Sequence, residues 1–464
     1  MNSLVHLQDI EIKSLQDFRA RIDSCHRINA LLEHSGVLYA VIQTAKQPEI
    51  LATKALKEYP SFSSTKPQVH MFERDIFEKT GLRPQGHPWL KPVRFVYNDI
   101  GDADYYRIEG NDVHEVGVGP VHAGIIEPGH FRFQCLGETV LHLEISLGYQ
   151  HRGIARALIG GPDKKTLFYM ETAAGDTTIG HSWAYALNHE ALTNVKVDEN
   201  THLYRAVMLE LERIANHVGD LGALAGDVGF LPTASFCGRI RGEFLNLSAQ
   251  ICGSRFGRGM IRPGGVGFVL DDKKTFLEKL HAAFRDALGA VDLLWKSTMV
   301  LDRFKNTGVL SKKAALDLGI VGPAARASGV KTDVRAADKA YAGFDIPVIE
   351  SGDVLARAKM RWLEIEASFE FIKSAVERLQ TPVPADVTAS LAPNALSISF
   401  IEGWRGAICH VAITDAQGKF AKYKIIDPSF FNWTALAMVL RGEEISDFPL
   451  CNKSFNLSYC GFDL

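Results

Sequence analysis

Apolar residues alternate with polar ones in short runs at the front of the chain, then recur at steps of three and four further on. Val37 to Gln43 (VLYAVIQ) and Lys91 to Tyr97 (KPVRFVY) read as strands of a small α/β unit. Asp99 to Val118, rich in glycine and acidic residues, reads as a linker, which sets a first unit over residues 1–105 and a second over 119–464. The second opens on HFRFQCLGETVLHLEISLG, a pattern that predicts a hairpin turning at Leu136 to Glu138. From Leu203 to Leu224, Val207, Leu211, Ile214, Val218 and Leu221 form one continuous helical face. Thr275 to Asn306 predicts a long amphipathic helix with Gly308 as its C-cap, and Asp353 to Leu379 predicts another. Strands return at Leu396 to Ser399, Ala407 to Ile413 and Phe420 to Ile426. The expected fold class is therefore α+β: a small N-terminal α/β domain fused to a large helix-rich body that takes strands from both ends.

Composition narrows the partners. With 46% hydrophobic and 23% charged residues, the 464-residue chain reads as an ordinary globular protein with room for more than one core. A net charge of -3 gives no electrostatic case for nucleic acid. No apolar signal core opens the sequence, and no run approaches the ~20 apolar residues of a membrane span. Seven cysteines without a single CxxC pair read as reduced, mostly buried thiols. No GxxxxGK[ST], GxGxxG or GxSxG motif occurs, so no direct NAD site is expected.

Candidate chemistry sits in a series of motifs. FERDIFEKTGLRPQGHPWLKP spans Phe72 to Pro92; GPVHAGIIEPGHFRF spans Gly119 to Phe133; LGYQHRG follows with Arg152. YMETAAGDTTIGHSWAYAL holds Glu171 and His181, ELERIANHVGDLGALAGD holds His217 and Asp227, and GSRFGRGMIRPGG holds Arg255, Arg258 and Arg262. FIEGWRGAICH carries Glu402 and Arg405. Each has a plainer reading. A lone His122 in a strand-turn is more often a packed, hydrogen-bonded side chain, His217 sits at the margin of an apolar helix face, and clustered arginines can be mere surface.

In this order the motifs resemble the large subunit of membrane-bound, energy-converting [NiFe]-hydrogenases and the quinone-site subunit of respiratory complex I. The segment from Phe72 resembles the small peripheral subunit of complex I, so the chain resembles two complex I peripheral subunits, the C-type and the D-type, fused. Trp89 stands where that small subunit usually has Asp. The hydrogenases hold their metal with two CxxC pairs; here those places are Ala174 and Thr177, then Ser458 and Gly461. None of these side chains is a thiolate, so no [NiFe] centre is expected. The quinone-site tyrosine of complex I falls on Gly175, its second motif histidine on Ile126 and its cluster-side histidine on Gly257. Asp227 falls where complex I pairs an acid with that lost histidine, so it needs another partner or water.

The resemblance implies an oxidoreductase subunit that docks an iron-sulfur cluster small subunit, beside a ferredoxin-like subunit and antiporter-like membrane subunits. It would lie on the cytoplasmic face of the cell membrane, held there by partners. His122, His181, Asp227 and Arg405 would line an acceptor pocket for a quinone or another small molecule, with Arg405 as an anion or carbonyl anchor. Arg152, Arg255 and Arg258 would face the partner's cluster, and His217, with Arg213 one turn back, would be a cofactor-side, proton-handling residue. The alternative is a coupling scaffold with a vestigial pocket. Sealed packing around the four former thiolate positions would favour the scaffold, and an open polar cavity reaching the membrane side would favour the acceptor site.

Overall fold

A computed structural model describes residues 2–44, 47–97, 99–122 and 126–464. The N-terminal part is a four-stranded sheet ordered Ile12–Lys13, Pro48–Lys54, Val37–Gln43 and Arg27–His34, with the helices Leu15–Ser24 and His70–Thr80 beside it. Ser14 caps the first of these helices by accepting from the Asp17 amide. The helix His70–Thr80 ends on Gly81 at φ 73°, a left-handed position that costs glycine little.

The large body is built on three long helices. Glu199–Asp227 packs along Leu231–Cys252 and Val354–Arg378, burying the Val207, Leu211, Ile214, Val218 and Leu221 face. The C-terminal sheet is antiparallel, in the order Asn2–His6, Ala395–Gly403, Gly406–Thr414, Phe420–Ile426. Its two central strands are buried at every residue, with the helix Thr178–Leu192 packed on one face. The first strand of the chain thus pairs with the last sheet, Asn2 opposite Ser399. A buried ion pair adds to this link: Lys424 donates to Asp75 at 2.5 Å, and Arg94 reaches both Asp75 and the Phe462 carbonyl. Burial raises the Asp75 pKa, but Lys424, Lys79 and Arg94 together hold it well below the carboxylate range.

The mixed α+β class and most elements agree with the periodicity; three do not. Lys91 to Tyr97 is irregular, because the Val93, Arg94 and Val96 amides donate to the Glu78 carboxylate instead of a ladder, and Phe95 turns to φ 55°. The expected linker holds a strand, Val113–Val118, paired antiparallel with His130–Leu136, with Val116 opposite Phe133 and Val118 opposite Phe131. The long helix predicted over Thr275 to Asn306 breaks at Ser297, whose hydroxyl caps a new helix, Thr298–Phe304. Gly308 lies beyond that end and its carbonyl accepts from Arg357 instead of capping. All seven cysteines are free and buried.

Candidate functional site

Two sequence-predicted residues meet in one cleft of about 390 Å³. His122 enters it from the segment before the hairpin, where its Nε2 lies 2.9 Å from the Gly129 carbonyl and its ring tilts over Phe131. Residues 123–125 of the same motif lie outside the described residues, and Ile126 re-enters the wall. Asp227 arrives as the last residue of Glu199–Asp227, at the carbonyl end of the helix, where a negative charge gains nothing from the dipole. Phe131, Phe133 and Phe448 make the wall apolar, and Lys453 and Asn456 add polar groups. The Asp227 side chain is open to this space, yet the concave wall thins the water around it. Burial pushes its pKa up to about 6, with Lys453 pulling the other way.

His181 and Arg405 do not line that cleft, which corrects the expectation of a single four-residue pocket. Arg405 grips the Asp176 carboxylate with both terminal nitrogens, at 2.6 and 2.8 Å, and its Nε donates to the Asn456 carbonyl. The Trp404 ring lies 3.8 Å beneath the guanidinium, and its indole donates to the Asp176 carbonyl. Burial would raise the Asp176 pKa, but the Arg405 fork outweighs it and holds the acid below its ordinary value. Arg405 is thus engaged by the chain itself rather than free to anchor a ligand.

His181 is fully buried in a hydrogen-bonded line that the sequence did not reveal. Its Nε2 lies 3.1 Å from Asp427, its Nδ1 lies 3.0 Å from His410 Nε2, and His410 Nδ1 lies 3.1 Å from the Tyr423 hydroxyl. The line ties the helix Thr178–Leu192 to two strands of the C-terminal sheet and gives each ring nitrogen a polar neighbour. Burial would raise the Asp427 pKa, but His181 and Arg405 bring it below the ordinary value.

The four positions that carry thiolates in the hydrogenases are packed shut around these pairs. Ala174, Thr177 and Ser458 are 0%, 3% and 3% exposed, and Gly461 is buried. Ser458 caps the short helix Tyr459–Phe462, accepting from the Gly461 amide at 2.9 Å. A Cβ on Gly461 would lie 2.7 Å from the Asp427 carboxyl carbon, so the volume of the fourth thiolate is taken. These side chains do not fit a nickel-iron centre. Among the described residues no three His, Cys, Asp or Glu side chains converge to hold a metal.

The residues expected on the cluster or cofactor side divide. Arg255 and Arg258 are exposed, and Arg258 draws on the buried Glu171, whose carboxylate accepts from the Gly259 amide at 2.6 Å. Arg152 bonds the Thr172 and Ala173 carbonyls at 2.7 and 2.6 Å, which fixes the turn that leads into Asp176. His217 is not at the surface: it is fully buried, with Nε2 3.0 Å from Glu364. Glu364 belongs to a buried network with Arg326, and Arg326 also bonds Glu402. Glu212, which no motif singles out, accepts from the Ile179 and Gly180 amides at the start of Thr178–Leu192. Burial pushes its pKa up to about 8 despite those bonds. Its only sequence signal is its place directly before Arg213.

This helix-rich body, with an aromatic-walled cleft beside a closed, charge-paired centre, has the sequence relatives of a subunit of an oxidoreductase complex. Residues 227–463 match the family described as the respiratory-chain NADH dehydrogenase, 49 Kd subunit, and the chain belongs to that family. The second D-type subunit of the NADH-quinone oxidoreductase of Herpetosiphon aurantiacus is 30% identical over 362 residues, covering 74% of this chain and 96% of that one. Formate hydrogenlyase subunit 5 of Escherichia coli (strain K12) is 27% identical over 440 residues, covering 87% of this chain and 76% of that one. The carbon monoxide-induced hydrogenase of Rhodospirillum rubrum is 28% identical over 354 residues, 74% of this chain and 97% of that one. Among solved structures, a chain of the archaeal membrane-bound sulfane sulfur reductase shares the fold, with a TM-score of 0.70 and 22% identity over 77% of this chain and 100% of that one. Among the described residues no helix is long and apolar enough to cross a membrane.

Proposed function

We propose that this chain is the acceptor-side peripheral subunit of a membrane-bound complex related to complex I and to energy-converting hydrogenases. An iron-sulfur cluster subunit docks on the face that carries Arg255 and Arg258. Electrons from its cluster reach a quinone or another small acceptor in the cleft of His122 and Asp227. Antiporter-like membrane subunits, beside a ferredoxin-like one, couple that transfer to ion movement and hold the chain on the cytoplasmic face. The two parts of the chain, residues 1–105 and 119–464, stand for the C-type and D-type subunits of complex I. The observation that carries this reading is the meeting of His122 and Asp227 in one aromatic-walled cleft, although 105 residues separate them.

His122 then holds one oxygen of the acceptor and Asp227 supplies a proton as charge develops on it. The test uses the complex purified from membranes. The cluster is reduced, a short-chain quinone is added, and cluster reoxidation is followed by EPR with Asp227→Asn alongside. Fast reoxidation that Asp227→Asn slows supports the reading; no reoxidation with an intact cluster rejects it.

A second reading, a coupling scaffold with a vestigial centre, draws on the sealed packing of Ala174, Thr177, Ser458 and Gly461. It predicts that the assembled complex keeps its stoichiometry and ion-pumping activity when the cleft is blocked by bulky substitution at Ile126.

A further inference from the structure

A second cavity, of about 600 Å³, opens between the helix His70–Thr80 with the turn that follows it, the strand Thr139–Ser146, and the helix Ser429–Val439. It shares no lining residue with the cleft of His122 and Asp227. Its volume falls within the roughly 300–1,000 Å³ of small-molecule sites. Trp89 stands on its wall and supplies one of its aromatic side chains.

Trp89 is 41% exposed and meets Tyr106 edge-on, with centroids 6.2 Å apart and planes at 77°. Tyr106 also meets the His142 ring, at 4.8 Å and 53°. Three rings therefore touch in series on the lining, to which Trp433 also belongs. Set at steep angles to one another, they offer ring faces and edges to a bound ring at little cost in side-chain freedom.

The charges are unevenly matched. Arg74 is engaged by the Lys91 and Pro92 carbonyls, and Lys91 is paired with Glu144. Arg441, on the rim, is exposed, and its guanidinium has no hydrogen-bond or ion-pair partner among the described residues. Burial, then Arg441 and Lys91, lowers the His142 pKa, so this ring brings no competing charge. One free guanidinium beside an aromatic row is a complement for one anionic group on a flat apolar body.

We propose that this cavity binds a planar aromatic monoanion, with its rings against Trp89, Tyr106 and His142 and its acid group on Arg441. A lipid could offer the same anion on a flexible chain, but ring faces and edges reward an aromatic body. The site is separate from the acceptor cleft and does not depend on the function proposed above.

The test titrates the purified complex with 2-naphthoate, following tryptophan fluorescence and calorimetric heat. Saturable binding is expected, with 2-naphthalenemethanol, the uncharged analogue, about tenfold or more weaker. Arg441→Gln should weaken naphthoate by a similar factor and leave the neutral analogue unchanged. Trp89→Asp should weaken both. Both side chains are exposed, so unchanged melting temperatures are expected of the variants. Equal binding of the charged and neutral probes, indifference to Arg441→Gln, or absence of saturation would each overturn the proposal. Tighter binding of dioctanoyl phosphatidate than of naphthoate would assign the site to a lipid and overturn the planar class.

Discussion

The closed centre around His181 and the open cleft around Asp227 lie on either side of the short helix Tyr459–Phe462. Gly461 faces the first and Tyr459 the second. In the centre the two aspartates have close partners: Asp176 has Arg405 and Asp427 has His181, and Ser458 completes the packing. In the cleft Asp227 has no hydrogen-bond or ion-pair partner among the described residues, and Lys453 acts on it through space. A buried charge persists when it is paired, and an unpaired one stays where water or a ligand can reach it. The chain therefore pairs Asp176 and Asp427 where the relatives' thiolates stand and leaves Asp227 where space remains, while Glu212, beside the centre, is held by backbone amides. The comparison turns the absence of thiolates into a statement about position: chemistry has room in the cleft and little in the centre.

The largest expected effect lies in the centre. His181→Ala removes the partner of Asp427 and of His410 at once, leaving a buried carboxylate undercompensated. We expect a loss of about 3–5 kcal/mol in urea unfolding, against less than about 0.5 kcal/mol for Asp227→Asn. The pH dependence separates the regions too. Asp427 and Asp176 have folded pKa values below their unfolded ones, so their stabilisation is present above the ordinary carboxylate range and is lost as pH falls through the depressed values. Asp227 has the opposite sign: its folded value is raised, so it costs stability as pH climbs toward about 6. Acid melts of wild type and His181→Ala that superimpose would remove the basis for the comparison.

The next effect lies in the cleft and on rate. If Asp227 donates a proton, acceptor reduction should fall as pH rises past about 6, where the carboxyl loses it. Asp227→Asn should slow the reaction by about 100-fold and flatten that limb of the profile. Stopped-flow reoxidation across pH 5 to pH 8, roughly the range that brackets this pKa, checks both. A variant that keeps the wild-type limb would show that another group donates.

How much of this was legible in the sequence depends on the range of the interaction. The helix Glu199–Asp227 declared itself because Val207, Leu211, Ile214, Val218 and Leu221 repeat within a few turns. The strand Val37–Gln43 matched to the residue because its turn is local. Lys91 to Tyr97 misled because its amides are satisfied by a side chain, Glu78, outside the run. His122 and Asp227 could be associated only through the resemblance to complex I, and their shared cleft is consistent with that link. The Arg405 fork on Asp176 and the Asp427 bond to His181 span 229 and 246 residues. Periodicity carries no information at that distance, so Arg405 read as a free anchor when it was already engaged. His217 read as a margin residue because its partner, Glu364, comes from a helix 147 residues on.

The smallest effect comes from putting the thiolates back, and it sharpens the comparison most directly. If the centre were an empty pocket, cysteines at 174, 177, 458 and 461 would fit and could collect a soft metal. The geometry argues otherwise at one position above all. Any side chain at Gly461 meets the Asp427 carboxylate at 2.7–2.8 Å and the Ser458 Oγ at 2.9 Å. Asp427 is held by His181 and by the Ser429 amide, so it has little freedom to retreat. Gly461→Cys should therefore cost about 1–3 kcal/mol through overpacking. Ser458→Cys, which keeps the Cβ in place, should cost less. The quadruple variant should purify without stoichiometric nickel, as read by elemental analysis. Adding Asp427→Ala should relieve the Gly461→Cys strain, because it removes the group the new side chain strikes. A Gly461→Cys protein as stable as wild type would mean that Asp427 moves aside easily, and that the centre is less closed than its pairs imply.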